Sequence, residues 1–147
     1  MKAPSFALPD ATGTIHTLQE YAGQWLVLYF YPKDETPGCT IEACSLRDAR
    51  DDLADAGAVV VGISKDTPES HRAFATAHDL RFTLLSDESG TTIAAYGAWG
   101  KKMFGVEGIL RKTMIINPAG EIVKTYGRVT PLGHGEQVLA ELRRLQS

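Results

Sequence analysis

Hydrophobic positions along this chain alternate between two spacings. Unbroken apolar runs of strand length occur at Trp25–Tyr31 and over 58–63, and a shorter one, Met114–Ile116, sits inside Arg111–Asn117. The first two have the composition of strands buried on both faces, and the second is rich in β-branched residues. Between them apolar residues recur every three or four positions, as on a helix with one buried face. This predicts a buried strand over about 26–31 and a main helix over about 40–56, stopped by Gly57. A second strand follows at 58–64, and a helix opens at Asp66-Thr67-Pro68-Glu69 and runs to about His78. Phe82–Leu85 reads as a short strand, Asp87–Gly90 as a turn and Thr91–Tyr96 as a short helix. Gly97–Gly108 is expected to be a loop holding Trp99, Met103 and Phe104. Arg111–Asn117 forms the third core strand, and Asn117-Pro118-Ala119-Gly120 turns it back into a strand at Glu121–Tyr126. A closing helix near Gly135–Leu145 presents Val138, Leu139, Leu142 and Leu145. Upstream, residues 4–18 read as a hairpin with Phe6, Leu8, Ile15 and Leu18 inward, and a helical turn at Leu18–Ala22 ends at Gly23. The βαβαβ alternation with a ββα ending gives an α/β fold in three layers, helices on both faces of the sheet.

Composition narrows this little. A chain of 147 residues with 44% hydrophobic and 22% charged residues is expected to be one domain, 1–147, with a real core. A net charge of −3 gives no reason to expect nucleic acid or an anionic membrane as partner. No apolar run approaches the roughly 20 residues that span a bilayer. Met1-Lys2-Ala3-Pro4 lacks the apolar core of a signal peptide. The 2 cysteines are too few for a disulfide scaffold, and their closeness suits redox chemistry in a reducing compartment, so the expected location is the cytoplasm.

The chemistry concentrates in Pro32-Lys33-Asp34-Glu35-Thr36-Pro37-Gly38-Cys39-Thr40-Ile41-Glu42-Ala43-Cys44. Pro32 ends the strand because it cannot donate to a ladder. Thr36 can serve as N-cap with Pro37 at the first helical position, which puts Cys39 in the first turn. The unpaired N–H groups and dipole there favour an anion, so a thiol is driven toward its thiolate. A lone cysteine is otherwise most often a buried, inert one. Cys44 lies five residues on, about 140° around the axis and roughly 8–9 Å away between Cα atoms. A disulfide needs about 7 Å or less, so the two can bond only if the first turns unravel. Cys39 shares a stripe with Ala43, Leu46 and Leu53, and Cys44 lies nearly opposite.

Pro32-x-x-x-Thr36-x-x-Cys39 matches the active-site motif of peroxiredoxins. The stretch YFYPKDETPGCTIEAC with Arg47-Asp48 resembles their bacterioferritin-comigratory, or PrxQ, branch, and the similarity runs over nearly the whole chain. It implies a thioredoxin-like fold with N-terminal additions and a cofactor-free, metal-free thiol peroxidase acting on hydrogen peroxide and organic hydroperoxides. In that reading Cys39 is the peroxidatic thiolate, oxidised to a sulfenic acid, and Cys44 resolves it as an intramolecular disulfide. Thioredoxin or a similar dithiol then reduces the disulfide. Thr36 contacts sulfur and peroxide besides capping, the amides around Gly38 and Cys39 supply donors, and Pro32 walls the pocket. Arg111 matches the family's active-site arginine, though an arginine at a strand start is usually a solvated surface charge. Glu42 orients Arg111 or Tyr31, or is simply a first-turn glutamate favoured by the dipole. Trp99 and Phe104 line an apolar rim or pack in the core. Met114 stands where the branch more often has phenylalanine, which implies a packing change. The branch is often monomeric, with a weak dimer open to this chain. Two rivals stay open. A thioredoxin-type oxidoreductase would want Cys-x-x-Cys, which is absent. A redox sensor would use the same pair without fast recycling. His16, His71, His78 and His134 are scattered and show no zinc-ligand spacing with the cysteines.

Overall fold

The structure, a computed structural model, describes residues 1–102 and 105–147. The expectations for Met103 and Phe104 lie outside the described residues. The chain opens with an antiparallel hairpin, β1 (Ala7–Pro9) and β2 (Ile15–Thr17). Asp10 closes it, one carboxylate oxygen accepting from the amides of Thr12 at 2.8 Å and Thr14 at 3.1 Å. Phe6 and Leu8 are buried, but Ile15 is 57% exposed, against the expectation that it packs inward. Register explains this: Leu8 pairs with His16, so Ile15 shares the outer face with Pro9. A 3-10 turn at Leu18–Tyr21 is tied back by Glu20, which accepts from the Thr17 amide at 2.9 Å. Gly23, at φ +86°, then turns the chain into the sheet.

The core strand β3 spans Trp25–Phe30 and leads through a short loop into α1 (Pro37–Asp55). The helix starts earlier than residue 40, at the proline whose fixed φ suits the first position. It ends at Asp55, with Gly57 at φ +81° just beyond. Next come β4 (Ala58–Ser64), α2 (Pro68–Ala77), β5 (Thr83–Ser86) and α3 (Thr91–Ala95). The segment expected to be a loop over 97–108 instead contains a ladder, β6 (Trp99–Lys101) against β7 (Glu107–Ile109). Backbone pairing there needs no apolar run, which is why the spacing did not announce it. Then follow β8 (Lys112–Ile116), β9 (Ile122–Tyr126) and α4 (His134–Gln146).

The sheet order is β5-β4-β3-β8-β9, with β3, β4 and β5 parallel and β8 and β9 antiparallel. One face is covered by α1, α2 and α4 through Leu46, Leu53, Phe74, Val138 and Leu142, packed on Val27, Tyr29 and Ile115. The other carries α3 and the N-terminal hairpin, with Phe6, Leu8 and Ile93 against Leu28, Phe30, Ile63 and Met114. Met114 is 3% exposed there. Gly62 makes room for Tyr29 across the ladder: a Cβ at that position would sit 2.8 Å from the Tyr29 ring. No helix among the described residues is long and apolar enough to cross a membrane.

Candidate active site

The loop from β3 to α1 is held from beneath. The Tyr31 hydroxyl donates to Asp34 Oδ1 at 2.6 Å. Asp34 Oδ2 accepts from Ser70 Oγ at 2.8 Å and pairs with His71 Nδ1 at 2.8 Å. The other ring nitrogen of His71 lies 3.1 Å from the Leu85 carbonyl. Asp34 and His71 are both buried, and the Asp34 amide donates to Asp66 at 2.9 Å. These partners are far apart in sequence, and no spacing rule connects them. From sequence His71 stood out only as one of four scattered histidines. Asp34, Asp66 and His71 bring three ligand-type atoms within 4.8 Å of one another, but hydrogen bonds within the protein already engage those side chains.

Pro32 is half-buried directly after the strand, and Thr36 has the extended backbone of an N-cap, φ −82° and ψ 150°. Its hydroxyl does not cap the helix. It donates to the Lys33 carbonyl at 2.9 Å, which leaves the oxygen lone pairs as its remaining capacity. Cys39 is 1% exposed and lies on the buried stripe with Ala43, Leu46 and Leu53, whereas Cys44 is half-exposed. Cys44 lines a groove between α1 and α4 with Ile41, Leu132 and Leu139. Both thiols are free.

Arg111, just before β8, reaches Cys39 across 72 positions of sequence. Its Nη2 lies 3.3 Å from the sulfur and its Nη1 donates to Glu42 Oε1 at 2.6 Å. A guanidinium fork thus holds a thiol and a carboxylate side by side. Gly38 packs tightly beside it: a Cβ there would lie 3.1 Å from Arg111 Nη2 and would have to push the guanidinium aside. Burial works against the charge of Arg111, but the negative charges of Glu42 and Cys39 outweigh it and raise its pKa. Glu42 is fully buried, and burial pushes its carboxyl up to about 7 despite the charge and hydrogen bond of Arg111. Its second oxygen and the Tyr29 hydroxyl are buried without a hydrogen-bond partner among the described residues. Burial, then the charges of Glu42 and Cys39, hold the Tyr29 hydroxyl well above its ordinary pKa.

Of the two tyrosines, then, Tyr29 in β3 feels the site, while Tyr31, just past the end of the strand, turns its hydroxyl to Asp34. Glu42 pairs with Arg111, and Tyr31 is not its partner. Tyr29 was not singled out from sequence, although its place two residues before Tyr31 puts both on one face of the expected strand. Trp99 lies on β6 opposite Ile109, 39% exposed, with the Lys65 ammonium 5.2 Å over its ring. That is a surface cation–π contact, not core packing. His134, also unanticipated, is buried beside the Thr113 hydroxyl at 2.8 Å, and burial lowers its pKa.

A thiol in the first turn of a helix, held by an arginine at the entry to a neighbouring strand, is the arrangement of a thiol-based redox enzyme. The AhpC/TSA family model matches residues 1–125. Peroxiredoxin Bcp of Bacillus subtilis is 41% identical over 145 residues, covering 97% of this chain and 92% of the relative. Peroxiredoxin Bcp of Escherichia coli is 42% identical over 144 residues, covering 96% and 92%. Among solved structures, Xanthomonas campestris bacterioferritin comigratory protein, described for its alkyl peroxide reduction activity, superposes with TM-score 0.92 at 36% identity, covering 97% of this chain and 92% of that one. A cysteine-to-serine mutant of Xylella fastidiosa PrxQ gives TM-score 0.94 at 33% identity, covering 100% and 98%. The chain belongs to the AhpC/TSA family and, within it, to the Bcp/PrxQ peroxiredoxins, thiol peroxidases with a thioredoxin-like fold.

Proposed function

We propose that this chain reduces hydrogen peroxide and organic hydroperoxides through Cys39 and Cys44, with a thioredoxin-type dithiol as electron donor. The observation that carries this is the 3.3 Å approach of Arg111 Nη2 to the Cys39 sulfur in the first turn of α1. A guanidinium and a helix N-terminus both favour the thiolate. The thiolate attacks one peroxide oxygen, the O–O bond breaks, and the other oxygen leaves as hydroxide or alkoxide and takes up a proton. Arg111 and the amides around Gly38 stabilise the charge as it passes from sulfur to the leaving oxygen. With its hydrogen given to Lys33, the Thr36 hydroxyl is left to accept a hydrogen bond from the protonated peroxide oxygen. Pro32 shields the thiolate from water. A sulfur only 1% exposed favours a small head group such as –OOH.

The product is a sulfenic acid on Cys39. Cys44 attacks it, water leaves, and an intramolecular disulfide forms once the first turns of α1 unwind. An incoming dithiol exchanges with this disulfide, is oxidised itself, and returns both protein thiols. One chain, acting as a single domain over 1–147, supplies every residue of the cycle, which supports a monomer as the working unit. Dependence on a dithiol donor, and the presence of just 2 cysteines, fit the cytoplasm.

The test is a rapid-mixing experiment with one equivalent of hydrogen peroxide and mass analysis of the quenched product. The wild type is expected to lose both thiols as a Cys39–Cys44 link. Cys39→Ser should abolish peroxide turnover, and Cys44→Ser should keep the first oxidation but lose recycling by thioredoxin. Full activity of Cys39→Ser would overturn the mechanism, and undiminished steady-state turnover of Cys44→Ser would remove Cys44 from it.

A further inference from the structure

We propose that Glu35 is the hinge and latch of the segment that carries both cysteines, a positioning residue for the resolving step. The inference rests on Cys44 being the resolving thiol. Both ends of the segment are fixed. Upstream, Asp34 is 4% exposed, and its side chain is bonded to Tyr31, Ser70 and His71. Downstream, Ser45 Oγ accepts from the Gly135 amide at 2.8 Å, and the α1 backbone at Ser45 packs so closely on Gly135 that a Cβ there would fall on the Ser45 carbonyl. Arg47 Nη1 donates to the His78 carbonyl at 2.7 Å. The rearrangement that brings Cys39 to Cys44 is therefore taken up between residues 35 and 44.

Glu35 begins that interval in an unusual state. Its φ is +64°, and among the described residues Asp79 is the other non-glycine with positive φ. A Cβ in the left-handed region is strained, and such strain collects at switch segments. Its own side chain helps to hold it there, Glu35 Oε1 lying 2.7 Å from His78 Nε2, beside the Thr36–Lys33 bond that closes the turn. His78 thus secures both flanks, its ring taking Glu35 and its carbonyl taking Arg47. In the helical dithiol form the Glu35–His78 contact helps to keep the backbone in the strained conformation. When the first turns unwind, Glu35 returns to an ordinary conformation, and the relief favours the form in which the disulfide can close.

Two substitutions at this one position separate latch from strain. Glu35→Ala removes the latch but keeps the Cβ, so the disulfide form gains. Its disulfide-to-dithiol equilibrium constant should rise about threefold, which is about 14 mV more reducing for a two-electron couple. Glu35→Gly removes latch and strain together, and its constant should lie about fivefold below that of Glu35→Ala. The constants are read by equilibrating each protein with reduced and oxidised dithiothreitol and counting thiols by mass. Amide exchange of Gly38–Thr40 in the reduced proteins should follow the same order, fastest in Glu35→Ala. The rate of Cys39 oxidation by one equivalent of hydrogen peroxide should stay within twofold of wild type in both. Equal constants for the alanine and glycine variants would mean that the Glu35 backbone does not change between the two forms, and would overturn the hinge alone. A wild type that forms no Cys39–Cys44 link would overturn the resolving role of Cys44 and the hinge with it.

Discussion

Glu42 should make the stability of this protein fall with rising pH in a way that one substitution removes. Burial holds its carboxyl at about 7 in the folded chain, against 4.5 for an unperturbed glutamate, and Arg111 only partly offsets that. Because the folded pKa is raised, the native state keeps a proton that the unfolded state releases. The contribution is therefore fully present below pH 4.5 and is lost as pH rises through 7. With 1.36 kcal/mol per pKa unit, a rise from 4.5 to about 7 makes the native state relatively less stable by about 2–3 kcal/mol between pH 5 and pH 8. Glu42→Gln has the same shape, still offers an oxygen to Arg111 Nη1, and does not titrate. The assay is urea unfolding of wild type and Glu42→Gln at pH 5 and pH 8, both reduced. Titrating groups that do not touch Arg111 cancel in the difference between the two proteins. The difference should move by about 2–3 kcal/mol in favour of Glu42→Gln on going from pH 5 to pH 8. A difference that does not change with pH would show that Glu42 ionises normally and that Arg111 fully compensates its burial.

Replacing Arg111 with Met should slow oxidation of Cys39 by hydrogen peroxide by about 10²-fold, the usual cost of losing one oriented donor at a developing charge; stopped-flow rates at pH 7 read it. Gly62→Ala would press a methyl group into the Tyr29 ring, now 2.8 Å from that position, and should cost about 1–3 kcal/mol in urea unfolding. At the N-terminus, burial opposes the charge of His16, but its bonds to Asp10 at 2.7 Å and Glu20 at 2.9 Å raise its pKa. Its contribution is present below pH 6.5 and lost as pH rises through the raised value. Asp10, lowered to about 2 by hydrogen bonds that outweigh burial, contributes above 3.8 and loses this as pH falls toward 2. In Asp10→Asn the wild-type advantage in melting temperature should be largest near pH 5 and shrink toward both pH 2.5 and pH 8.5.

The local grammar of the chain was readable because local rules govern it. Trp25–Phe30 is a strand because it is apolar on both faces, and α1 begins where a proline follows an extended threonine. That Cys39 would be sheltered and Cys44 more open followed from 100° per residue alone. What stayed hidden depends on partners that sequence does not order. The outward turn of Ile15 is decided by which residue faces Leu8 across the hairpin. The β6–β7 ladder is made of backbone bonds between residues with no shared apolar pattern. Arg111 meets Cys39 only because β8 lies next to β3, and no periodicity encodes that neighbour relation; the likeness to a known motif is what picked it out. The Thr36 hydroxyl was expected to cap α1, but it is turned to donate to the Lys33 carbonyl and accepts from no amide of the first turn.

Two buried carboxylates flank Cys39, three residues after it and five before, and their different surroundings divide the work. Asp34 is saturated: a tyrosine, a serine and a histidine all reach its two oxygens. A buried carboxylate satisfied in this way is an anchor, because leaving any partner unpaired in a dry interior is costly. Glu42 is only half satisfied, with Arg111 on one oxygen and no partner among the described residues on the other. A buried acid with an open valence is poorly stabilised as an anion, so its proton affinity rises toward neutrality. The same Arg111 serves the thiol. Protonating Glu42 leaves the guanidinium charge free to act on Cys39, while ionising it makes the two groups share that charge. The loop before α1 is thus fixed by a group whose hydrogen bonds are complete, and the thiol shares its arginine with one whose hydrogen bonds are not.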